Sequence, residues 1–384
     1  MLFDFDQIHD RSTSDSSKWS RYAGRDVLPM WVADSEFMAP PAVLAALQQR
    51  VAHGIFGYGR PSASLTSAIR HWCADRYQWQ PEGTSLVYLP GLVPALHLVV
   101  RALGITDLPV LVPTPVYPPF FEAVKAAGRV IQPVPLSHVD GRWRLLPQVL
   151  ERAISGRGQL LLFCNPHNPT GTLYRPDELA ELAQLAADHD VLVCSDEIHS
   201  DLLLQPELRH QPFAAISEDA ARRSIVLMAP SKSFNLAGLG CAWALIADPR
   251  LRMRFKTAMH GLLPTPNLLG LVAAEAALRE GGDWLDQQCR YLHANSLQVA
   301  ALWQRFGISH SQPQATYLSW VDLRALGLGD AAGWFEQHGV GLSDGAPFGA
   351  PGYLRLNFGC SRSQLDQGLA RCAVALERAG VIGQ

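Results

Sequence analysis

The stretch Ala229-Pro-Ser-Lys232-Ser-Phe-Asn235-Leu-Ala-Gly238 places a lone lysine shortly after an apolar run, Ser224 to Met228, that is typical of a buried strand. Small and turn-forming residues flank this lysine on both sides. A lysine amine that is removed from water loses its proton readily and can condense with an aldehyde. An ordinary surface lysine in a loop is the alternative that this segment alone leaves open.

Two upstream segments follow the same pattern, in which a polar side chain comes at the end of an apolar run. One is Leu160-Leu-Leu-Phe-Cys-Asn-Pro-His-Asn168-Pro-Thr-Gly171, and the other is Val191-Leu-Val-Cys-Ser-Asp196. Taken singly, the Asn-Pro pairs could be simple turn formers, and Asp196 could cap the next helix. Ligands of an open α/β sheet bind at the carboxyl ends of its strands, so we expect the amide, the carboxylate and the amine to converge there. Pyridoxal 5'-phosphate requires such a set: a lysine for its aldehyde, an anion beside its pyridinium nitrogen and a donor to its phenolic oxygen.

Further segments along nearly the whole chain fit one family. They are Asp10-Arg11, Lys18-Trp19, Pro29-Met-Trp31-Val-Ala33-Asp34, His53-Gly-Ile-Phe-Gly57-Tyr58, Pro90-Gly91-Leu-Val93-Pro94, Pro113-Thr-Pro-Val-Tyr117 and Leu354-Arg355-Leu-Asn357-Phe-Gly-Cys-Ser-Arg362. With these segments the chain resembles the fold-type I pyridoxal-phosphate enzymes of the class I/II aminotransferase superfamily. The pieces around Trp31 and Tyr58 resemble most the cystathionine β-lyase group of C–S lyases, the MalY/PatB type.

The resemblance implies an α/β fold of the aspartate aminotransferase type, with a mostly parallel sheet in a large domain and a smaller α/β domain. The sequence pattern agrees, because strand-like runs alternate with helical stretches such as Pro176 to Asp188 from about residue 64 to residue 269. We expect an N-terminal arm and first helix over residues 1–50, belonging to the small domain. The large cofactor-binding domain is expected over 51–284 and the C-terminal small domain over 285–384.

The composition of the 384 residues is that of a globular enzyme, with 48% hydrophobic and 17% charged residues. A net charge of −3 predicts neither nucleic-acid binding nor a basic membrane-binding face. No apolar run approaches the roughly 18 residues of a membrane span, and the first residues do not look like a signal peptide. Seven cysteines without a Cys-x-x-Cys pair indicate reduced thiols, so we expect a cytoplasmic protein, and we predict no metal site.

The resemblance implies a role for each residue around the cofactor. Lys232 would bind the cofactor's aldehyde, be displaced by the substrate's amine and then remove the Cα proton. Asp196 would keep the pyridine nitrogen protonated, since a buried anion raises the pKa of a neighbouring cation. Asn168 would donate to the phenolic oxygen, and Tyr117 would stack on the ring unless it is only a packing residue. His199 matches a position near the cofactor, and a core histidine is the alternative reading.

The phosphate site departs from the broader aminotransferase pattern. That pattern has a small hydroxyl residue or glycine three residues before the lysine and an arginine eight residues after it, where this chain has Ala229 and Gly240. The phosphate would therefore depend on the backbone N–H groups of Gly91-Leu92-Val93 at a helix N-terminus, and on Ser231. By resemblance, the hydroxyl of Tyr58 would come from the neighbouring subunit of a homodimer with shared active sites.

Arg355 is the candidate for the α-carboxylate of an amino-acid substrate, because a guanidinium group binds a planar carboxylate with two parallel hydrogen bonds. A surface salt bridge is the alternative for this arginine. Trp31, Ala33 and Asp34 are expected to line the mouth of the pocket.

With Lys232, Asp196 and Tyr58 as catalytic residues, the resemblance implies β-elimination of L-cystathionine and related cysteine S-conjugates. The products would be a thiol such as homocysteine, pyruvate and ammonia. Amino transfer to a 2-oxo acid would use the same lysine, aspartate and arginine, and it is the first alternative. A regulatory protein that binds pyridoxal phosphate is the second. The missing phosphate arginine and the segments around Trp31 and Tyr58 favour elimination.

Overall fold

Strands and helices alternate along most of the chain in the computed structural model, which describes residues 3–383. The strands are β1 (Leu28–Pro29), β2 (Leu86–Leu89), β3 (Val110–Thr114), β4 (Ile131–Pro135), β5 (Ser137–Val139), β6 (Arg142–Arg144), β7 (Leu160–Cys164), β8 (Leu192–Asp196), β9 (Ser224–Met228), β10 (Ala242–Leu245), β11 (Ser309–Ser311), β12 (Leu318–Asp322), β13 (Val340–Gly341), β14 (Ser343–Asp344) and β15 (Tyr353–Asn357). The α-helices are α1 (Ser17–Ser20), α2 (Pro41–His53), α3 (Ala63–Tyr77), α4 (Leu92–Ala102), α5 (Pro119–Ala126), α6 (Pro147–Ala153), α7 (Pro176–Asp188), α8 (Glu218–Arg222), α9 (Pro249–Met259), α10 (Leu268–Glu280), α11 (Gly282–Arg305), α12 (Ala331–Gln337) and α13 (Arg362–Arg378).

A central sheet of seven strands has the order β2-β10-β9-β8-β7-β3-β4. Strand β10 runs antiparallel to both of its neighbours, and the other pairs are parallel. Strands β7 and β9 are buried at every position. Buried parallel strands read as continuous apolar runs because helices cover both faces of the sheet. The predicted mostly parallel sheet is confirmed.

The helices follow the predicted pattern with one interruption. Helix α7 has the predicted bounds, and it begins with a proline at a position where no backbone N–H is needed. The long helical region that begins at Leu268 breaks after α10 and resumes as α11. The break falls at Gly281, where a Cβ atom would lie 2.7 Å from the ring of Phe234. Only glycine allows this close approach.

A smaller antiparallel sheet, β11-β12-β15-β14, forms the C-terminal part of the fold. Its strand β15 carries Arg355, which lies opposite Trp320 of β12 on one side and Ser343 of β14 on the other. The N-terminal strand β1 pairs in parallel with β13. The arm is thereby attached to the C-terminal part of the chain. The domain boundaries stay a prediction. Residues 1, 2 and 384, which belong to the first and last predicted domains, lie outside the described residues.

The seven cysteines are all unpaired, and only Cys289 is not fully buried. Burial raises the pKa of the Cys164 thiol well above its usual value, so this thiol is held in its unreactive protonated form. Within residues 3–383, no helix combines the length and the apolar character that crossing a bilayer demands.

Candidate active site

A cavity of about 370 Å³ lies at the carboxyl ends of the parallel strands, between the central sheet and the smaller sheet. This volume is within the range of small-molecule sites. Most of the predicted site residues line it: Trp31, Ala33, Gly91, Leu92, Val93, Tyr117, Asn168, Asp196, His199, Ser231, Lys232 and Arg355. Asp34 and Tyr58, which were also predicted, are not among the lining residues.

Lys232 lies in the turn after β9, and its Nζ donates a hydrogen bond to the carbonyl oxygen of Ala33. The next residue, Ser233, is fixed by two hydrogen bonds. Its hydroxyl donates to Asp201 at 3.1 Å, and its carbonyl accepts from the side chain of Gln288 at 2.9 Å. Burial lowers the pKa of Lys232 to about 8, although the nearby Asp34 carboxylate opposes the shift. Roughly a tenth of the amine is therefore neutral at pH 7, many times more than at the ordinary lysine pKa, and the neutral form is the one that attacks an aldehyde.

Asp196 is the last residue of β8 and is almost completely buried. Its Oδ1 accepts a hydrogen bond from the backbone N–H of Ile198 at 3.1 Å, but no α-helix begins there, so the helix-cap alternative does not hold. Burial raises the pKa of Asp196 to about 7, and none of the described cations lies within ion-pair distance of it. A carboxylate in this condition favours a cationic group bound in the cavity.

Asn168 belongs to the turn after β7, which Gly171 shapes with a left-handed backbone (φ +69°). The carbonyl of Gly171 accepts from the N–H of Gln314 at 2.9 Å and from that of Ala315 at 3.0 Å, so the turn is anchored to the C-terminal part. The side-chain oxygen of Asn168 accepts from Arg355 at 2.9 Å. Its Nδ2 group has no acceptor among the described residues, which leaves a donor for a ligand.

Arg355 is 4% exposed, which excludes the surface salt-bridge alternative. Its guanidinium donates to the carbonyl of Trp31 at 2.8 Å and to the hydroxyl of Ser343 at 3.3 Å, besides the bond to Asn168. No carboxylate of residues 3–383 forms an ion pair with it. Burial lowers its pKa to about 10, so the group stays cationic at neutral pH. Arg355 is thus a buried positive charge that no described residue neutralises.

His199 and Tyr117 complete the walls around Asp196. His199 is 1% exposed, and burial, with the nearby Lys232 and Arg355 charges, lowers its pKa well below the usual value. Its Nδ1 is buried without a partner among the described groups. The ring is therefore a neutral imidazole with one unsatisfied polar atom. Tyr117 is half-buried, and its backbone N–H donates to the carbonyl of Asn168 at 3.1 Å.

The predicted phosphate end of the cavity is formed by backbone and small residues. Gly91, Leu92 and Val93 lie at the start of α4, where the first backbone N–H groups have no partner within the helix. Ser231 and Gly240 line the same cavity. Apart from Lys232 and Arg355, no lysine or arginine is among the lining residues. Helix N–H groups and a hydroxyl suit an anion, and they fit a phosphate group.

Four consecutive carbonyls of the arm accept hydrogen bonds from side chains in the site or next to it, a feature that residue types alone do not reveal. The carbonyl of Ala33 accepts from Lys232 and from the Tyr317 hydroxyl, the latter at 3.1 Å. The carbonyls of Val32 and Asp34 both accept from the side chain of Asn357. Together with the bond from Arg355 to Trp31, these contacts make the segment 31–34 a strap across the site. Nothing in the sequence distinguished Tyr317 or Ser343 from ordinary strand residues.

A cluster of four charges fixes this strap. Asp34 pairs with Arg11 at 2.8 Å and with Lys18 at 3.3 Å, and Glu36 pairs with the same two cations at 3.0 Å and 2.6 Å. Burial would raise the pKa of Asp34, but Lys18 and Arg11 hold it below the usual value. The carboxylate of Asp34 is thus engaged inside the protein and does not line the cavity.

Tyr58 is not part of this buried arrangement. It is fully exposed, at 112% of the reference area, in an irregular segment with the exposed side chains of Ile55 and Phe56. Within one chain the structure does not bring Tyr58 to the cavity.

Comparison with known proteins places the chain among enzymes of one family. The family model for aminotransferase class I and II matches residues 25–371. Cystathionine β-lyase PatB of Bacillus subtilis (strain 168) is 37% identical over 97% of this chain and 99% of that protein. The crystal structure of OvoB is 47% identical with a TM-score of 0.95, and covers 97% of this chain and 99% of that one. The structure of a C–S lyase from Staphylococcus hominis with bound pyridoxal phosphate is 30% identical with a TM-score of 0.92, at 98% coverage of both chains.

Proposed function

The chain belongs to the class I and II aminotransferase family, and from this premise we propose that it is a pyridoxal-phosphate-dependent C–S lyase. Its reaction is the β-elimination of L-cystathionine and related cysteine S-conjugates. The Cα–H and Cβ–S bonds break and water is taken up, so that a thiol, pyruvate and ammonia leave. Full-length similarity to a cystathionine β-lyase and to a C–S lyase supports this reaction type.

The observation that carries the proposal is the convergence of Lys232, Asp196 and Arg355 on one cavity. Bound pyridoxal phosphate supplies a protonated ring that withdraws electrons from the substrate's Cα. The buried carboxylate of Asp196 keeps that ring nitrogen protonated, and the free amide of Asn168 donates to the phenolic oxygen. Lys232 would hold the cofactor's aldehyde, and its amine would take the Cα proton of the substrate.

Arg355 binds the α-carboxylate of the substrate in this proposal. It is a buried cation without a counter-ion among the described residues, so an incoming carboxylate satisfies a charge that they leave unpaired. Binding at this point also orients the Cα–H bond toward the amine of Lys232. Trp31 and Ala33 lie on the same wall of the cavity.

The enzyme is a homodimer with shared active sites in this proposal. None of the described arginines lines the phosphate end of the cavity. Tyr58 is exposed beside Ile55 and Phe56, which are 65% and 58% exposed. Large apolar side chains that are clustered on a surface are typical of interfaces. The hydroxyl of Tyr58 from the second chain then contributes to the phosphate site. The proposed location is the cytoplasm, which the unpaired thiols support.

Amino transfer to a 2-oxo acid is the second candidate, because it uses the same three side chains and the family model bears its name. One assay separates the two. Holoenzyme supplied with L-cystathionine should release thiol and pyruvate without any added 2-oxo acid. Amino transfer that depends on a 2-oxo acid, with no pyruvate release from any cysteine conjugate, would replace the lyase by the aminotransferase.

A cofactor test accompanies this assay. Purified wild type should show a visible absorption band that is missing in Lys232→Ala and kept in Lys256→Ala, a matched control at an exposed lysine. A wild type that stays colourless after incubation with pyridoxal phosphate would refute the whole proposal.

A further inference from the structure

The groups that hold Arg355 are all electrically neutral. They are the side-chain oxygen of Asn168, the carbonyl of Trp31 and the hydroxyl of Ser343, at 2.9, 2.8 and 3.3 Å. A buried arginine usually faces a carboxylate, because an unpaired buried charge is costly. Its Nε has no partner among the described groups. Some other feature must therefore compensate for the loss of hydration.

An aromatic ring covers the guanidinium. The Cζ atom of Arg355 lies over the ring of Phe348 at 4.8 Å from the ring centroid, a distance at which the electron-rich face attracts a cation. Phe348 is 4% exposed and belongs to a 3₁₀ turn, Ala346–Phe348, between β14 and β15. Because both partners are buried, the attraction is only weakly screened by water.

The position of this ring is fixed from two sides. The ring centroids of Trp320 and Phe348 are 5.6 Å apart. Trp320 is itself stacked on Tyr353, with a centroid distance of 5.2 Å and an interplanar angle of 9°. On the backbone, the carbonyl of Phe348 accepts from the N–H of Val116 at 3.0 Å. Val116 precedes Tyr117 of the cavity wall. The ring therefore cannot turn away from Arg355 without disturbing both parts of the fold.

We propose that Phe348 is a positioning residue for the substrate's carboxylate, which holds the Arg355 guanidinium in place without neutralising it. A carboxylate in the same place would fix the guanidinium equally well, but it would compete with the substrate for the same charge. The ring and the three neutral acceptors stabilise the cation and leave its charge for the ligand. Ser343 is the second neutral element of this cradle, since it donates to the carbonyl of Trp31 at 2.9 Å while it accepts from Arg355.

This inference rests on the proposed function, in which Arg355 binds the substrate's α-carboxylate, so its test uses a probe that does not react. Butanoate and its uncharged analogue butanamide are titrated into the holoenzyme, and binding is followed by the change in cofactor absorbance. Wild type should bind butanoate in preference to butanamide. Phe348→Leu should weaken butanoate binding by about 3- to 30-fold, which is the range of a buried cation–π contact. The affinity for butanamide should not change. The KM for L-cystathionine should rise by a similar factor, with a smaller change in kcat.

Two matched variants separate this role from packing. Phe348→Tyr keeps the aromatic face and should restore butanoate binding to within about 2-fold of wild type. Phe335→Leu removes an equally buried ring from the same part of the fold and should leave butanoate binding unchanged. Wild-type affinity for butanoate in Phe348→Leu would overturn the proposal.

A second pair of variants tests whether the groups around Arg355 must be neutral. This test does not depend on the folding of Phe348→Leu. Ser343→Asp places a carboxylate beside Arg355 and should weaken butanoate binding by about 10-fold or more, whereas the uncharged variant Ser343→Asn should weaken it much less. Equal affinities of these two variants for butanoate would refute a neutral cradle.

The outcome also separates this inference from the proposed function. If wild type binds butanoate selectively and Phe348→Leu lowers that selectivity by the expected factor, the inference stands even where no pyruvate is released from L-cystathionine. If wild type does not prefer butanoate to butanamide, Arg355 is not the carboxylate site, and the inference fails while pyruvate release still measures the reaction.

Discussion

Arg355 donates a hydrogen bond from Nη1 to the side-chain oxygen of Asn168 at 2.9 Å, and so joins the smaller sheet to the turn after β7. In the proposed function Arg355 binds the substrate and Asn168 orients the cofactor. The contact therefore links the two binding events. Because the side-chain oxygen of Asn168 is already engaged by Arg355, the Nδ2 group is the part of this amide that is left for a ligand in the cavity.

Arg355→Ala should spare the visible band of the cofactor and raise the KM for L-cystathionine sharply. Removal of one partner of a buried charged pair costs ~2–5 kcal/mol, so kcat/KM should fall by about 30- to 5,000-fold. Arg355→Lys should recover only part of the loss, because an ammonium group supplies charge without the planar fork. Steady-state kinetics and absorbance of the same preparations measure both quantities.

The control is Arg362→Ala, which removes an exposed arginine a short distance along the chain. This variant should retain the wild-type KM. Loss of the cofactor band in Arg355→Ala with an unchanged KM would assign Arg355 to the cofactor instead of the substrate.

The sequence predicted the central sheet and the residues that end its strands, because buried parallel strands are continuous apolar runs and their ends face one cavity. Asn168, Asp196 and Lys232 are cases of this kind. It did not predict the contacts between distant segments. The carbonyl of Ala33 is a backbone group, so its bonds to Lys232 and Tyr317 leave no trace in residue type.

The same limit applies to the ring of Phe348 beside Arg355. A phenylalanine between two strands looks like any core residue. Its place beside the guanidinium depends on tertiary structure, because β14 and β12 both pair with β15 at Arg355 and the ring packs on Trp320 of β12. For Asp34 the sequence pointed to the mouth of the pocket, whereas the fold directs its carboxylate to Arg11 and Lys18. Residue type shows that a carboxylate can pair with a cation, but tertiary structure decides which cation it meets.

The uptake of pyridoxal phosphate by the apoprotein should depend on pH through Lys232. Only the neutral amine attacks the aldehyde, and burial lowers the pKa of this lysine to about 8. The rate should therefore rise with pH and level off above about pH 8, whereas a lysine peptide measured in parallel should continue to rise toward its ordinary pKa of about 10.4. The rate of appearance of the visible band from about pH 6 to about pH 10 gives the profile.

Asp196, whose pKa burial raises to about 7, also titrates in this window. In Asp196→Asn the uptake rate should still rise with a midpoint near pH 8, because this step in the profile reports the titration of Lys232. A step that disappears in this variant would assign it to Asp196, and a wild-type rate that still rises at pH 10 would show that the amine of Lys232 is not desolvated.

The exposed segment around Tyr58 should control both assembly and cofactor affinity. Ile55→Asp places a charge on the proposed dimer interface and should shift the protein toward the monomer in sedimentation velocity experiments, with loss of cofactor. Ile382→Asp is the matched control, because Ile382 is 88% exposed and lies near the other end of the chain. A wild type that sediments as a fully active monomer would contradict the dimer.

Tyr58→Phe should leave the dimer intact and weaken pyridoxal phosphate binding by the equivalent of one charge-assisted hydrogen bond, ~1.5–3 kcal/mol. Pyridoxal, which lacks the phosphate, should bind the variant and wild type equally. Equal losses for pyridoxal phosphate and pyridoxal would place Tyr58 away from the phosphate.

The charge cluster of the arm should be important for stability as well as for the site. The side chains of Lys18 and Glu36 are 2% and 5% exposed, and Lys18 is the closer of the two cations to Glu36, at 2.6 Å. Lys18→Met removes that cation and leaves two partly or fully buried carboxylates with Arg11 alone, which should cost ~3–5 kcal/mol. Urea unfolding of wild type and variant measures the loss. Arg222→Ala, which breaks an exposed pair with Glu218, should cost no more than ~1 kcal/mol.

The double variant Lys18→Met with Glu36→Gln decides whether charge is the cause. It removes one charge of each sign and so leaves Arg11 paired with Asp34 at 2.8 Å, as in wild type. It should recover much of the stability lost in Lys18→Met. Because the carbonyl of Ala33 holds Lys232, the single variant should also take up pyridoxal phosphate more slowly, and the double variant should recover this rate in parallel. If stability returned while cofactor uptake stayed slow, the cluster would stabilise the arm without positioning Lys232.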